Sequence, residues 1–207
     1  MKDTDETKEQ LILQAAEAEF MHKGFQGAKT ASIAKEAGVT HAMLHYYYRT
    51  KENLFNKVFE SKITLIANII IQSVTNSDVT LLERVKLVIE SHFDFLVENP
   101  DLPRFLINEL ISQPDKKQIF EDKVRVITSI VIPSLQKELD DEAAKGAIEQ
   151  IDAFDLILNI VSLNVFVFIT FPILKSLDFS PHTAEEFLEN RKRENIEVIM
   201  RRLIKQK

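Results

Sequence analysis

A chain of 207 residues with 45% hydrophobic content, no cysteine, four glycines, six prolines and a net charge of -6 is long enough for one large or two small cores. Its lack of cysteine excludes a disulfide framework and a thiolate metal site, and its few glycines and prolines exclude a turn-rich sheet protein, so the chain reads as all-α. Scattered glycines leave no phosphate-cradling loop and no nucleophile elbow, so an enzyme is not expected, and without a charged segment leading into an apolar run at its start the default location is cytoplasmic.

The first predicted element carries Ile12, Ala16 and Phe20 at i, i+4 and i+8 and stops at Lys23-Gly24-Phe25, the pattern of a supporting helix closed by glycine. Next comes T-A-S-I-A-K-E-A-G-V-T-H-A-M-L-H-Y-Y-Y-R-T-K from Thr30 to Lys51. Ala34 is small where two helices would cross, Gly38 supplies a left-handed turn, and Leu44 returns an apolar side chain to the core, which is helix-turn-helix spacing. Ile33, Ala34, Ala37, Val39, Leu44 and Tyr48 are read as core. Arg49-Thr50-Lys51 then places a capping threonine and a cation at the start of a further helix, where a phosphate is favoured.

Charge divides along the chain in the same sense. Met1 to Met21 holds two lysines against six carboxylates, net -4, whereas His22 to Lys51 holds five cations against Glu36 alone, net +4. The basic stretch coincides with the motif, and the remaining 156 residues carry -6. Affinity for DNA then rests on a few well-placed phosphate contacts. Lys29 and Thr30, the latter expected at the N-cap of the second helix, suit phosphate oxygens. Thr40, His41 and Tyr46 are expected to reach base edges, and His45 and Tyr47 to touch bases or phosphates. His41 and His45 at i, i+4 also have the spacing of a metal clamp, but no third ligand suggests itself, so neither metal nor cofactor is expected.

Residues 10 to 56 resemble the DNA-binding head of the TetR family of bacterial transcriptional regulators. The family's pattern of I-L-x-A-A with a later F and G-[FY], then I-A-x-x-A-G-V and a Y-x-[YH]-F-x-[ST]-K tail, is met at nearly every apolar and glycine position. His45 stands where the family usually has Tyr, Ala42 and Met43 replace a common Gly-Thr type pair, and Tyr48 sits at the usual Phe. By this resemblance Tyr47 and Lys51 match positions that touch the DNA backbone, and His45 matches a position with that role. The departures bear on which operator is read.

Beyond the head, a helix from Lys51 to about Val74 carries Leu54, Val58, Ile63, Ile66 and Ile70, with Asn76-Ser77-Asp78 as its stop. Further helices are expected from Thr80 to Glu98, from Leu102 to about Ser112, and from Lys116 to Leu139 with a kink at Pro133. Leu156 to Leu174 has no charge, and fourteen of its 19 residues are Leu, Ile, Val or Phe, close to the ~20 apolar residues of a membrane span. Asn159, Ser162, Asn164, Thr170 and Pro172 inside it favour burial on two sides, against its own domain and a second subunit. A last helix, about Thr183 to Lys205, sets Leu188, Ile196, Ile199 and Leu203 on one stripe.

The expected organisation is a helix-turn-helix head at 1-50 and an effector-binding and dimerisation domain at 51-207. The resemblance implies a homodimer joined through its last two long helices, a palindromic double-stranded operator, and release of DNA when a small molecule enters the larger domain. His92, Phe93, Phe105, Asn108, Asn159 and Phe166 are the candidate pocket residues, and fourteen phenylalanines lean towards a largely hydrophobic effector. The expected function is therefore a ligand-responsive repressor. The alternatives are a DNA-binding regulator controlled by a protein partner or acting in activation, and a membrane-associated helical protein.

Overall fold

These periodicities become nine helices and no strand among the described residues, which in the computed structural model are 2–75, 79–112, 114–176 and 183–205. In chain order they are α1 (Lys2–Gly27), α2 (Thr30–Glu36), α3 (His41–Tyr48), α4 (Lys51–Thr75), α5 (Leu81–Glu98), α6 (Leu102–Ser112), α7 (Pro114–Ala144), α8 (Ala153–Ser176) and α9 (Ala184–Leu203). The expected stop at Asn76-Ser77-Asp78 lies outside the described residues.

Two compact units divide the chain. The first comprises Met1–Leu65 with Phe105–Glu121. Ile12, Ala16 and Phe20, the stripe of α1, are each 0% exposed. In the same unit Ile33 and Ala34 of α2, Leu44 of α3, and Leu54, Phe55 and Phe59 of α4 are all buried, with α2 packed on α1 and on α3. Burying a side chain of this size contributes about 1.5–3 kcal/mol, so each of these residues holds its helix in the unit. Phe20, Phe25 and Phe55 form an edge-on cluster, with Phe20 and Phe25 each 5.0 Å from Phe55. Lys62, itself buried, pairs with Glu17 and ties α4 to α1.

The second unit comprises Ile66–Arg104 with Asp122–Lys207. Here α5, α8 and α9 pack on one another around Val85, Ile89, Leu139, Leu156, Ile160, Ile199 and Leu203. Both α5 and α9 begin with capping boxes. The hydroxyls of Thr80 and Thr183 accept from the amides of Glu83 and Glu186, whose carboxylates accept in return, satisfying N–H groups that a helix start leaves open. Inside this unit Asn164 donates to the carbonyl of Ile89 at 3.0 Å and Asn195 donates to Asn164 Oδ1 at 3.0 Å. Both asparagines are 0% exposed, so their amides satisfy one another where water cannot.

By length and composition Ala153–Leu174 of α8 could cross a membrane, with a mean hydropathy of 2.2 and 28% of it buried. One side carries Leu156, Ile160, Asn164, Val167 and Phe168, all buried. The other side exposes Phe154, Leu158, Phe166 and Ile173. α7 runs helically through Pro133, as α8 does through Pro172.

Candidate nucleic-acid interface

The helix-turn-helix is built by a short α2, a turn at Gly38 and an eight-residue α3. Gly38 has φ +64 and open space around the position of a missing Cβ, so its backbone conformation rather than crowding explains the glycine. Ala34 is buried at the crossing, and its carbonyl accepts from Val39 N at 3.0 Å. Ile33, Ala37, Leu44 and Tyr48 are buried, whereas Val39 is half-buried.

Thr40 is the N-cap of α3, its hydroxyl accepting from Met43 N at 3.2 Å. The corresponding position of α2 departs from the sequence reading. Lys29, not Thr30, is its N-cap, with no side-chain cap bond. The Lys29 amide is satisfied from outside the element, donating to Glu19 Oε1 at 3.1 Å. Glu19 is held below the usual carboxylate range by Lys23, which binds it at 2.8 Å, and by that amide. Thr30, freed from capping, instead meets Nε2 of His41 at 3.0 Å and braces α2 against α3.

On α3, His41, His45 and Tyr46 are exposed, Tyr46 by 79%, while Tyr47 is half-buried beside the rings of Tyr46 and Tyr48. The rings of His41 and His45 lie edge to face with centroids 4.7 Å apart. Among the described residues no cluster of three metal-ligating side chains forms, there or elsewhere. His45 Nδ1 lies 2.7 Å from the carbonyl oxygen of Arg49. A carbonyl only accepts, so Nδ1 carries the proton and Nε2 is the nitrogen left to face outward. Arg49 has φ +60, alone among the non-glycine residues described. The one local signal for this turn in the sequence is its place just after the last aromatic of α3.

Tyr48 points inward and donates to Glu9 Oε1 at 3.2 Å. Burial, then the neighbouring Glu9, pushes its phenol above the ordinary range, so it stays protonated as donor. Lys51 opens α4 with its Nζ 4.7 Å from the centre of the Phe25 ring and 3.4 Å from the Gln26 carbonyl. Thr50 caps the helix through Asn53 N at 3.1 Å. Exposed hydrogen-bonding and aromatic groups thus share one short helix, flanked by Lys29 and Lys51. Such an arrangement suits base edges and phosphates.

The six residues expected around a ligand are divided between the two units. His92 and Phe93 are buried in the second unit, where His92 Nδ1 meets Asn164 Nδ2 at 3.3 Å and Phe93 packs 5.3 Å from Phe168. Asn159 and Phe166 face outward on α8. Phe105 joins the aromatic cluster of the first unit, 5.8 Å from Phe55, and Asn108 is exposed there. The sequence reading passed over Asn164 as a partner of His92, and Asn195 and Arg191 beyond it. Arg191 lines an open groove of about 760 Å³ together with Phe166, Thr170 and Phe187.

Residues 12–58 match the family model of bacterial regulatory proteins of the tetR family, and residues 82–199 match the tetracyclin repressor-like C-terminal domain. The chain is similar to the uncharacterized HTH-type transcriptional regulator YdgC of Bacillus subtilis, 31% identical over 61% of this chain and 65% of that protein. It is also similar to the nucleoid occlusion factor SlmA of Vibrio cholerae, 25% identical over 86% of this chain and 92% of that one. The chain spans just under two thirds of the length of the first of these relatives and about half of some others it matches. Its fold is shared with a Clostridium perfringens protein described as a fatty acid metabolism regulator, with a TM-score of 0.69, 20% identity and coverage of 95% and 100% of the two chains.

Proposed function

The chain belongs to the tetR family of bacterial regulatory proteins, and from that premise we propose that it is a cytoplasmic, homodimeric repressor that binds a palindromic operator and releases it when a small, largely hydrophobic ligand binds. The observation that carries this reading is the exposed face of α3, where His41, His45 and Tyr46 project beside Lys29 and Lys51 in a basic stretch of the chain. Residues 1-50 carry the operator surface, and residues 51-207 carry the effector and dimer functions.

Two-fold symmetry would set two recognition helices about 34–36 Å apart, the spacing of successive major grooves. A ligand that prefers the non-binding arrangement by about 2–3 kcal/mol weakens DNA affinity roughly 30- to 150-fold, with α4 as the lever. Outward-facing Phe154, Leu158, Phe166 and Ile173 of α8 supply an apolar stripe for the second subunit.

The deciding experiment is a titration of the purified protein with a short duplex holding the palindrome nearest its own gene, at two salt concentrations, beside a His41→Ala/Tyr46→Ala variant. Tight, salt-sensitive binding lost in the variant supports the reading. Binding that ignores the substitutions, with failure of a random-sequence selection, would sink it.

A further inference from the structure

We propose that Glu109 of α6 is a positioning residue for the phosphate contact of Lys51, acting through the turn at Gly24 and Phe25; the inference rests on the DNA-binding reading above. It starts from a break in α1. Gly24 sits at φ 66 and ψ 177, a conformation essentially reserved for glycine. Breaking a helix there takes the next amide out of the regular ladder.

That amide is Phe25 N, and it donates to Glu109 Oε1 at 3.0 Å across 84 residues of sequence. Glu109 is 6% exposed, and a carboxylate accepting a backbone N–H away from water makes a charge-assisted bond. Close approach is visible at Gly24 too, where an added Cβ would lie 3.4 Å from the same oxygen. One turn earlier on α6, Phe105 packs 5.8 Å from Phe55 and 6.2 Å from Phe59. α6 therefore grips the turn twice, once through the Phe25 amide and once through the rings around it.

What the turn holds in its own right is Lys51. The ammonium lies over the Phe25 ring at 4.7 Å and against the Gln26 carbonyl at 3.4 Å. Among the described residues it forms no ion pair with a carboxylate, so its charge stays available to a phosphate while ring and carbonyl set its direction. Loosening the Phe25 amide moves both guides together. Glu109 thus acts on a DNA contact it does not itself make.

The test is a double-mutant cycle on a duplex obtained by random-sequence selection, using Glu109→Ala, Glu109→Gln, Lys51→Ala and the Glu109→Ala/Lys51→Ala double variant. Removing a negative charge should by itself tighten DNA binding. The proposal expects the reverse: Glu109→Ala weakens binding about tenfold and lowers the slope of log K against log salt by about one, as Lys51→Ala does. Added to Lys51→Ala it brings no further loss. Glu109→Gln, which keeps an acceptor oxygen, stays within about twofold of the parent.

Hydrogen exchange at the Phe25 amide gives a readout that needs no DNA. It should speed up in Glu109→Ala and stay slow in Glu109→Gln and Lys51→Ala. Should the alanine variant not fold, Glu109→Asp, whose shorter reach releases the amide, is expected to give the same faster exchange and lower slope. Additive losses in the double variant, or unchanged Phe25 exchange, would overturn the assignment. If the parent binds no DNA, the functional reading fails while the exchange data still judge the latch.

Discussion

The hydroxyl of Thr30 and Nε2 of His41 lie 3.0 Å apart and join the first residue of α2 to the first residue of α3. Either group can donate to the other, so the bond survives both neutral tautomers of the ring. It fixes the angle at which His41 leaves the helix. Replacing Thr30 by Val keeps the shape and removes the hydroxyl. We expect a loss of about 1 kcal/mol in stability by urea unfolding and a several-fold weaker operator complex by fluorescence anisotropy. An operator affinity equal to the parent's would mean that the brace does not orient His41.

Tyr46 makes the opposite case. It is 79% exposed in mid-helix, and alanine is the better helix former. Tyr46→Ala should leave the melting temperature unchanged or slightly raised while costing about 1–3 kcal/mol of operator discrimination. A variant that binds as the parent does would remove Tyr46 from the recognition surface.

Stability should fall in mild acid because of His92. Burial holds its pKa at about 4 against an ordinary 6.5, and Nδ1 already faces the Asn164 amide. Below pH 6.5 the unfolded chain takes up a proton that the folded protein resists until about pH 4. Stability therefore rises with pH across that window, and descending it costs about 3 kcal/mol. Urea melts at several pH values should show that slope, and His92→Gln should flatten it. Glu19 and Glu83, both held below 4.5, lose their contributions only at lower pH.

On α8, Phe166 is 65% exposed in line with Phe154 and Leu158. Phe166→Asp should place a charge in the subunit interface and shift the mass by light scattering from dimer to monomer, with loss of palindrome binding. A variant that remains dimeric would move the interface elsewhere.

Gly38→Ala isolates backbone strain. With φ +64 and nothing within 4 Å of the added Cβ, the expected cost is about 1 kcal/mol with no steric clash. Chemical denaturation reads it directly, and a cost of several kcal/mol would contradict the open space.

Much of the fold was legible because its signals are local. The i, i+4 stripe of Ile12, Ala16 and Phe20, the turn at Gly38, and the starts of α5 and α9 near Thr80 and Thr183 each depend on residues within a few positions, and each is found as read. The exposed face of α3 follows from the same short-range periodicity. Burial depends on how helices stack, and there the sequence was ambiguous. Asn159 and Asn164 lie five residues apart in one apolar run, yet the first faces outward and the second is 0% exposed because Asn195 and His92 reach it from α9 and α5. No local pattern shows that Phe105 packs on Phe55 and Phe59.

By itself, then, the sequence determined the helices and the exposed face of α3, since hydrogen bonds and side-chain spacing within a few residues decide those. Only the tertiary structure decided that Lys29 caps α2, that Thr30 meets His41, and that Glu109 reaches the Phe25 amide from 84 residues away. A buried polar group takes whichever partner packing brings within about 3 Å, and no local pattern encodes that distance.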